Sequence, residues 1–278
     1  MGSAQFRRVV FAVCTLLAAS GATAQSVLEY DRPDLDVIYV PTPHEVVKRM
    51  LEIAEVGPAD IHYDLGSGDG RIAIASVKDF NARRSVGIDL DPQRIGESLA
   101  NLAAAGVGDR VTFLRQNIFD TDFSEATVVS LYLLSTLNMR LRPAILNMKP
   151  GTRIVTQSFT MGDWKPDHFE VVPHHEGGFA NSRNVYLYVV PAKIGGKWAL
   201  TEGTRSIVLD ITQQFQFFEG TATTGGNSSR ILEGRLKGAK IQFTIEIDGK
   251  PLKYEGTVAG DTITGTGTGG TAWRAQKT

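Results

Sequence analysis

Tyr63-Asp64-Leu65-Gly66-Ser67-Gly68-Asp69-Gly70-Arg71 decides how the first part of this chain folds. Three glycines at alternate positions follow a short, mostly apolar stretch over 61–65. Glycine adopts positive φ without strain and lets a ligand touch the main chain, because no Cβ intrudes. A helical pattern starts at Arg71. A strand turning tightly into a helix is the opening βα unit of an open parallel sheet, and such sheets bind ligands beyond the carboxyl ends of their strands.

Outward from this loop, strands and helices alternate. The spacing predicts a helix over 43–56, where Val46, Val47, Met50, Leu51 and Ile53 keep a stripe of about 3.6 residues. Thr42 is its expected N-cap in a capping box with Glu45, with Pro43 at the first helical position. Helices are expected over 71–80, over 92–105 (capped by Asp91 and closed by Gly106) and over 138–148, where Pro143 shapes the start. Strands are expected over 61–65, 85–90, 111–115, 126–133 and 153–159, with 169–172 and 184–190 pairing as a hairpin across a long connection. The 126–133 strand is almost wholly apolar, as in a strand covered on both faces. This is an α/β pattern: a doubly wound, mainly parallel Rossmann-like sheet.

The texture changes near Pro191. Short alternating segments at 206–211, 215–220, 231–236, 239–247, 252–258 and 261–266 are separated by glycine-containing turns, the signature of a small antiparallel barrel or sandwich. Trp198 and Trp273 stand at its two ends as expected core plugs. The domains are thus drawn as 30–192 and 195–275.

The first 24 residues are different. Arg7-Arg8, an apolar run from Val9 to Ala19 and the small residues Ala22-Thr23-Ala24 have the layout of a signal peptide cut after Ala24. The protein is then exported, to the periplasm in a bacterium, and no transmembrane segment is expected in the mature chain. Cys14, the one cysteine of 278 residues, lies in that run, so the mature chain has no disulfide, thiolate metal site or cysteine nucleophile. A net charge of −1 gives no general attraction to nucleic acid or anionic lipid, and no nucleic-acid partner is expected. His168, His174 and His175 form no ligand spacing and read as solvated loop residues, so no metal site is expected.

The loop's chemistry narrows its ligand. A dinucleotide loop has its third glycine one residue later, where this chain has Arg71. Asp69 inside the loop would repel a pyrophosphate. An acidic loop suits a cationic ligand, such as the sulfonium and amino group of S-adenosylmethionine. The cofactor-binding candidates are Asp64, Gly66, Ser67, Gly68, Asp69 and Gly70. Asp89, ending the second strand, can accept hydrogen bonds from ribose hydroxyls or cap the next helix, a role that Asp91 fits better. Asn117 and Ile118, after the third strand, either meet the adenine or belong to an ordinary loop.

With these residues, Tyr63–Arg71, Gly87–Pro92 and Asn117–Asp120 resemble the cofactor motifs of class I S-adenosylmethionine-dependent methyltransferases. Tyr39-Val40-Pro41-Thr42-Pro43 and Leu131-Tyr132-Leu133-Leu134 further resemble the ATP synthase c-subunit lysine methyltransferase-like family, over about 37–192. That resemblance implies N-methylation of a protein lysine, so a protein substrate is the expected partner. Family members often carry an acidic residue at the place of Asn117. Tyr132, past the fourth strand, either orients the incoming amine or packs. Tyr39 and Thr42 could line the same pocket, with Trp164 and Asp163 over its entrance. The alternative is an exported, non-catalytic binding protein that uses the β domain and keeps the methyltransferase fold as scaffold.

Overall fold

The computed structural model describes residues 38–176 and 179–278. The signal and cleavage site expected in residues 1–24 lie outside the described residues. Five parallel strands form the heart of the first layer: β1 (Ile61–Leu65), β2 (Arg84–Asp89), β3 (Val111–Arg115), β4 (Val128–Leu131) and β5 (Arg153–Gln157). The hairpin β6 (His168–Glu176) and β7 (Phe179–Val189) adds antiparallel to β5, giving the order β3-β2-β1-β4-β5-β7-β6. The strand order reverses between β1 and β4, so the loops after these two strands flank the crevice where ligands bind.

Period two along the strands sets both faces. One face packs Val128, Val155 and Val185 under α1 (His44–Ile53), α2 (Arg71–Lys78) and α3 (Pro92–Ala105). The other packs Tyr63, Leu65, Val129, Leu131 and Ile154 against Leu141 and Ile145 of α4 (Ser135–Ile145). No helix occupies the β5–β6 connection. The buried Trp164 fills that space instead, tilted on Tyr188 with ring centroids 5.1 Å apart.

The remaining strands are β8 (Gly196–Glu202), β9 (Arg205–Gln214), β10 (Phe217–Thr224), β11 (Asn227–Lys237), β12 (Lys240–Ile247), β13 (Lys250–Ala259), β14 (Thr262–Gly267) and β15 (Ala272–Lys277). They close into an antiparallel barrel because β8 pairs with both β9 and β15. Trp198, Phe218, Phe243, Tyr254 and Trp273 fill the interior. The tryptophan N–H groups, costly to bury unpaired, donate to Ile194 O (2.7 Å) and Glu255 O (3.2 Å).

Barrel and sheet share a contact. Phe215, from the β9–β10 turn, stacks on Trp164 with centroids 5.9 Å apart, and Gln216 Nε2 donates to Lys165 O at 2.6 Å. The barrel therefore covers the place where the sheet lacks a helix.

Several expectations are corrected. Pro43, not Thr42, is the N-cap of α1, and no side chain caps that end. Pro143 lies inside α4 near its end and does not shape the start, which comes earlier, at Ser135. The β6–β7 ladder runs on to the pair Glu176 and Phe179, so both strands are longer than expected and the connection between them is two residues rather than long. The barrel has eight strands rather than six, because the stretches holding Trp198 and Trp273 are themselves strands. His174 is a buried strand residue and not a solvated one.

Candidate active site

Beyond the carboxyl ends of β1, β2 and β4 lies a cleft that opens to solvent. The loop after β1 forms its floor. Gly66 and Ser67 both donate their amides to Ile88 O, at 2.8 and 2.9 Å, which pins the loop against β2. Gly68 has φ +54°, and a Cβ there would stand 2.4 Å from the Tyr39 ring, so only glycine admits the strap of residues 38–42 across the loop. Gly70 (φ +81°) turns the chain into α2, and a Cβ there would sit 2.3 Å from Phe113 Cζ.

Four carboxylates stand around this floor in different settings. Asp64 is fully buried on β1, and burial pushes its pKa up to about 7, against the opposing hydrogen bond from Ser130 Oγ to Oδ1 (2.6 Å). Its Oδ2 has no hydrogen-bond partner among the described residues. Asp89 accepts from Gly68 N (2.8 Å) through Oδ2 and from Asp91 N (2.9 Å) through Oδ1, and burial raises its pKa. Asp91 caps α3, accepting from Gln93 N at 2.8 Å.

Asp69 is the exception. Burial raises its pKa, but Arg71 outweighs burial and the net is below the ordinary carboxylate range. Arg71 Nε and Nη2 meet the two Asp69 oxygens at 2.9 and 2.6 Å, while Nη1 donates to Thr42 O at 2.8 Å. The Asp69 charge is thus spent on tying the loop to the strap. Asp64 and Asp89, by contrast, have no ion pair with a basic side chain among the described residues.

Of the candidates, Asp64, Gly66, Ser67, Gly68, Asp69, Asp89, Asn117, Ile118, Tyr132, Tyr39 and Thr42 all line the one cleft. Gly70 does not; its role is the turn. Asn117 uses its Oδ1 to accept from its own loop, at Phe119 N (3.0 Å). Trp164 is a further correction: it is 0% exposed in the core under the barrel and cannot cover an entrance. Asp163 pairs with Arg142 and is away from the cleft.

The sequence left several neighbours unread. Arg94, one turn into α3, lies 4.4 Å over the Tyr39 ring and clamps the strap from above. His62 and Ser130 join Asp64 in a buried polar chain. The available signal was a polar residue two positions from Asp64 on β1, and another inside the otherwise apolar β4.

The orphaned Oδ2 of Asp64 and the Gly68 cradle fit a ligand that brings a cation and an extended adenosyl group. Comparison with known proteins agrees. Residues 64–168 match the family described as the ANTKMT methyltransferase domain. A protein-lysine N-methyltransferase of Saccharolobus islandicus (strain REY15A) is 47% identical over 155 residues, 55% of this chain and 94% of that protein. The adenine nucleotide translocase lysine N-methyltransferase of Mus musculus is 28% identical over 133 residues, 48% of this chain and 57% of that protein. A crystal structure of an RNA methyltransferase from Salinibacter ruber with S-adenosylhomocysteine aligns with TM-score 0.50 and 45% identity, over 56% of this chain and 96% of that one. The protein uses S-adenosylmethionine, and it belongs to the class I methyltransferases of the ATP synthase c-subunit lysine methyltransferase-like family.

Proposed function

We propose that this enzyme methylates a lysine side chain of a protein. Kinship with a protein-lysine N-methyltransferase, over nearly that protein's whole length, carries the proposal. The cofactor supplies an electrophilic methyl group on a sulfonium. Asp64 Oδ2 receives the cofactor's amino group, Asp89 the ribose hydroxyls, and Gly66 and Gly68 let the ligand lie on the main chain. Ile118 covers the adenine, and Asn117 borders it.

The acceptor amine must arrive with a free lone pair, about 3 Å from the methyl carbon. A lysine with pKa about 10.4 is mostly protonated in water, and a dry pocket favours its neutral form. Tyr132, stacked on Phe159 at 6.2 Å and lining the cleft, orients that amine, with Tyr39 and Thr42 lining the same cleft. An RNA acceptor calls for several free cations at the mouth, and of the arginines there Arg71 is paired with Asp69 and Arg94 with Glu97 (2.6 Å), leaving Arg140 over the Phe119 ring.

Incubating the enzyme with S-adenosylmethionine and either candidate proteins or RNA tests this, with release of S-adenosylhomocysteine and mass mapping of methylated lysine as readouts. Turnover with RNA and none with protein overturns the proposal. Tyr132→Phe is expected to lower kcat up to about 10-fold, the worth of one neutral hydrogen bond, and to leave cofactor affinity unchanged. We also place the mature enzyme in the periplasm, released by cleavage after Ala24; an exported fraction whose first residue is Gln25 is the expected observation.

A further inference from the structure

A row of polar side chains is buried beneath the cofactor floor, on the face of the sheet that carries α1 to α3. Strand register assembles it: Ser85 lies beside His62, and Ser130 beside Asp64. His62 Nδ1 is 2.9 Å from Ser85 Oγ, His62 Nε2 is 2.9 Å from Ser130 Oγ, and Ser130 Oγ is 2.6 Å from Asp64 Oδ1. His62, Ser130 and Asp64 are all at most 2% exposed, so water does not compete for these bonds.

The chemistry fixes their direction. The ionised Asp64 carboxylate only accepts, so the Ser130 hydroxyl donates to it. Ser130 Oγ then accepts from His62 Nε2–H, and His62 Nδ1 accepts from the Ser85 hydroxyl. Burial holds the His62 pKa down to about 3, so the imidazole stays neutral and can act as donor and acceptor at once. Buried hydrogen-bond chains of this kind polarise one another and hold one geometry.

We propose that His62, acting through Ser130, is a positioning residue that fixes the Asp64 carboxylate with Oδ2 free to take the cofactor's amino group. The proposal rests on the role given above to Asp64. The surroundings of Asp64 explain why such a device is useful. Asp89 at the end of β2 and Asp69 in the loop both oppose its charge, and the Ala73 backbone amide in α2, besides Ser130, favours it. Near His62 the charged group is Asp60, itself paired with Arg153. Because burial raises the Asp64 pKa to about 7, the ligand-free site is protonated below that pH and ionised above it. Binding a cation requires the ionised form, so losing the Ser130 bond weakens binding most at low pH.

Calorimetric titration of the full chain with S-adenosylmethionine between pH 5.5 and 8.5 tests this. If Ser130→Ala raises the Asp64 pKa by about one unit, affinity relative to wild type falls about 10-fold at pH 5.5, about 5-fold at pH 7 and hardly at pH 8.5. The ionisation of the ligand's own amino group cancels in that ratio. His62→Leu is expected to change the profile in the same direction, and His62→Gln, which can both donate and accept, to restore it. A merely structural defect weakens binding equally at every pH.

Asp64→Asn separates the two ideas. If it binds as tightly as wild type at every pH, the role of Asp64 fails and the relay with it. If it binds weakly without the pH dependence, while Ser130→Ala and His62→Leu keep the wild-type profile, the relay alone is overturned. Should the substituted chains not fold, nitrogen NMR of labelled histidine in the wild-type complex with S-adenosylhomocysteine decides. One imidazole in the Nε2–H form, not titrating from pH 5.5 to 8.5, is expected; the Nδ1–H form or an imidazolium at that site overturns the proposal.

Discussion

Asp89→Ala is expected to lower the affinity for S-adenosylmethionine by about 100-fold to 1,000-fold, measured by calorimetry. Two effects add. The carboxylate, which we assign to the ribose hydroxyls, forms charge-assisted hydrogen bonds, each worth about 1.5–3 kcal/mol. The same group already holds the Gly68 and Asp91 amides at 2.8 and 2.9 Å in the free protein, so removing it also loosens the loop on which the ligand lies. Asp89→Asn keeps one carbonyl acceptor and is expected to fall between wild type and alanine. The thermal midpoint should change little, since Asp89 stands at the edge of the cleft and not in the core. An unchanged affinity for Asp89→Ala would remove this residue from the cofactor site.

Trp164→Ala is expected to destabilise the protein by about 3–5 kcal/mol, as large-to-small changes of core aromatics do. In a body of this size that lowers the thermal midpoint by roughly 10 °C or more. Trp164 occupies the place of a missing helix between β5 and β6, with Tyr188 on one side and the barrel's Phe215 on the other. Phe215→Ala tests whether the barrel stabilises the sheet through that ring. A double-mutant cycle of the two should show a coupling of about 0.5–1.5 kcal/mol, the excess of a stacked aromatic pair. Additive effects would mean that the barrel and the β5–β6 connection are energetically independent.

Much of the site could be read before any coordinates. Asp64, Gly66, Ser67, Gly68 and Asp89 are neighbours through short-range chemistry: a strand end, glycine φ values and a carboxylate one strand away. The boundaries of β1, β3 and α3 were legible for the same reason, because apolar period, caps and glycine all agree there. The pairing of Asp69 was not legible, because the sequence shows its charge and not the partner. Arg71, two residues on, folds back on it from the first turn of α2. Trp164 was misread because an aromatic after a strand end can face a cleft or a core, and only the barrel's position decides which.

The sequence by itself therefore determined the open α/β sheet and the ligand-bearing loop. These follow from local periodicity and from the conformational freedom of glycine. The tertiary structure alone decided which carboxylate stays unpaired, that β8 and β15 close the barrel, and that His62, Ser130 and Asp64 form one chain across β1 and β4. Those depend on strand register and on contacts between residues far apart in sequence, which no local pattern encodes.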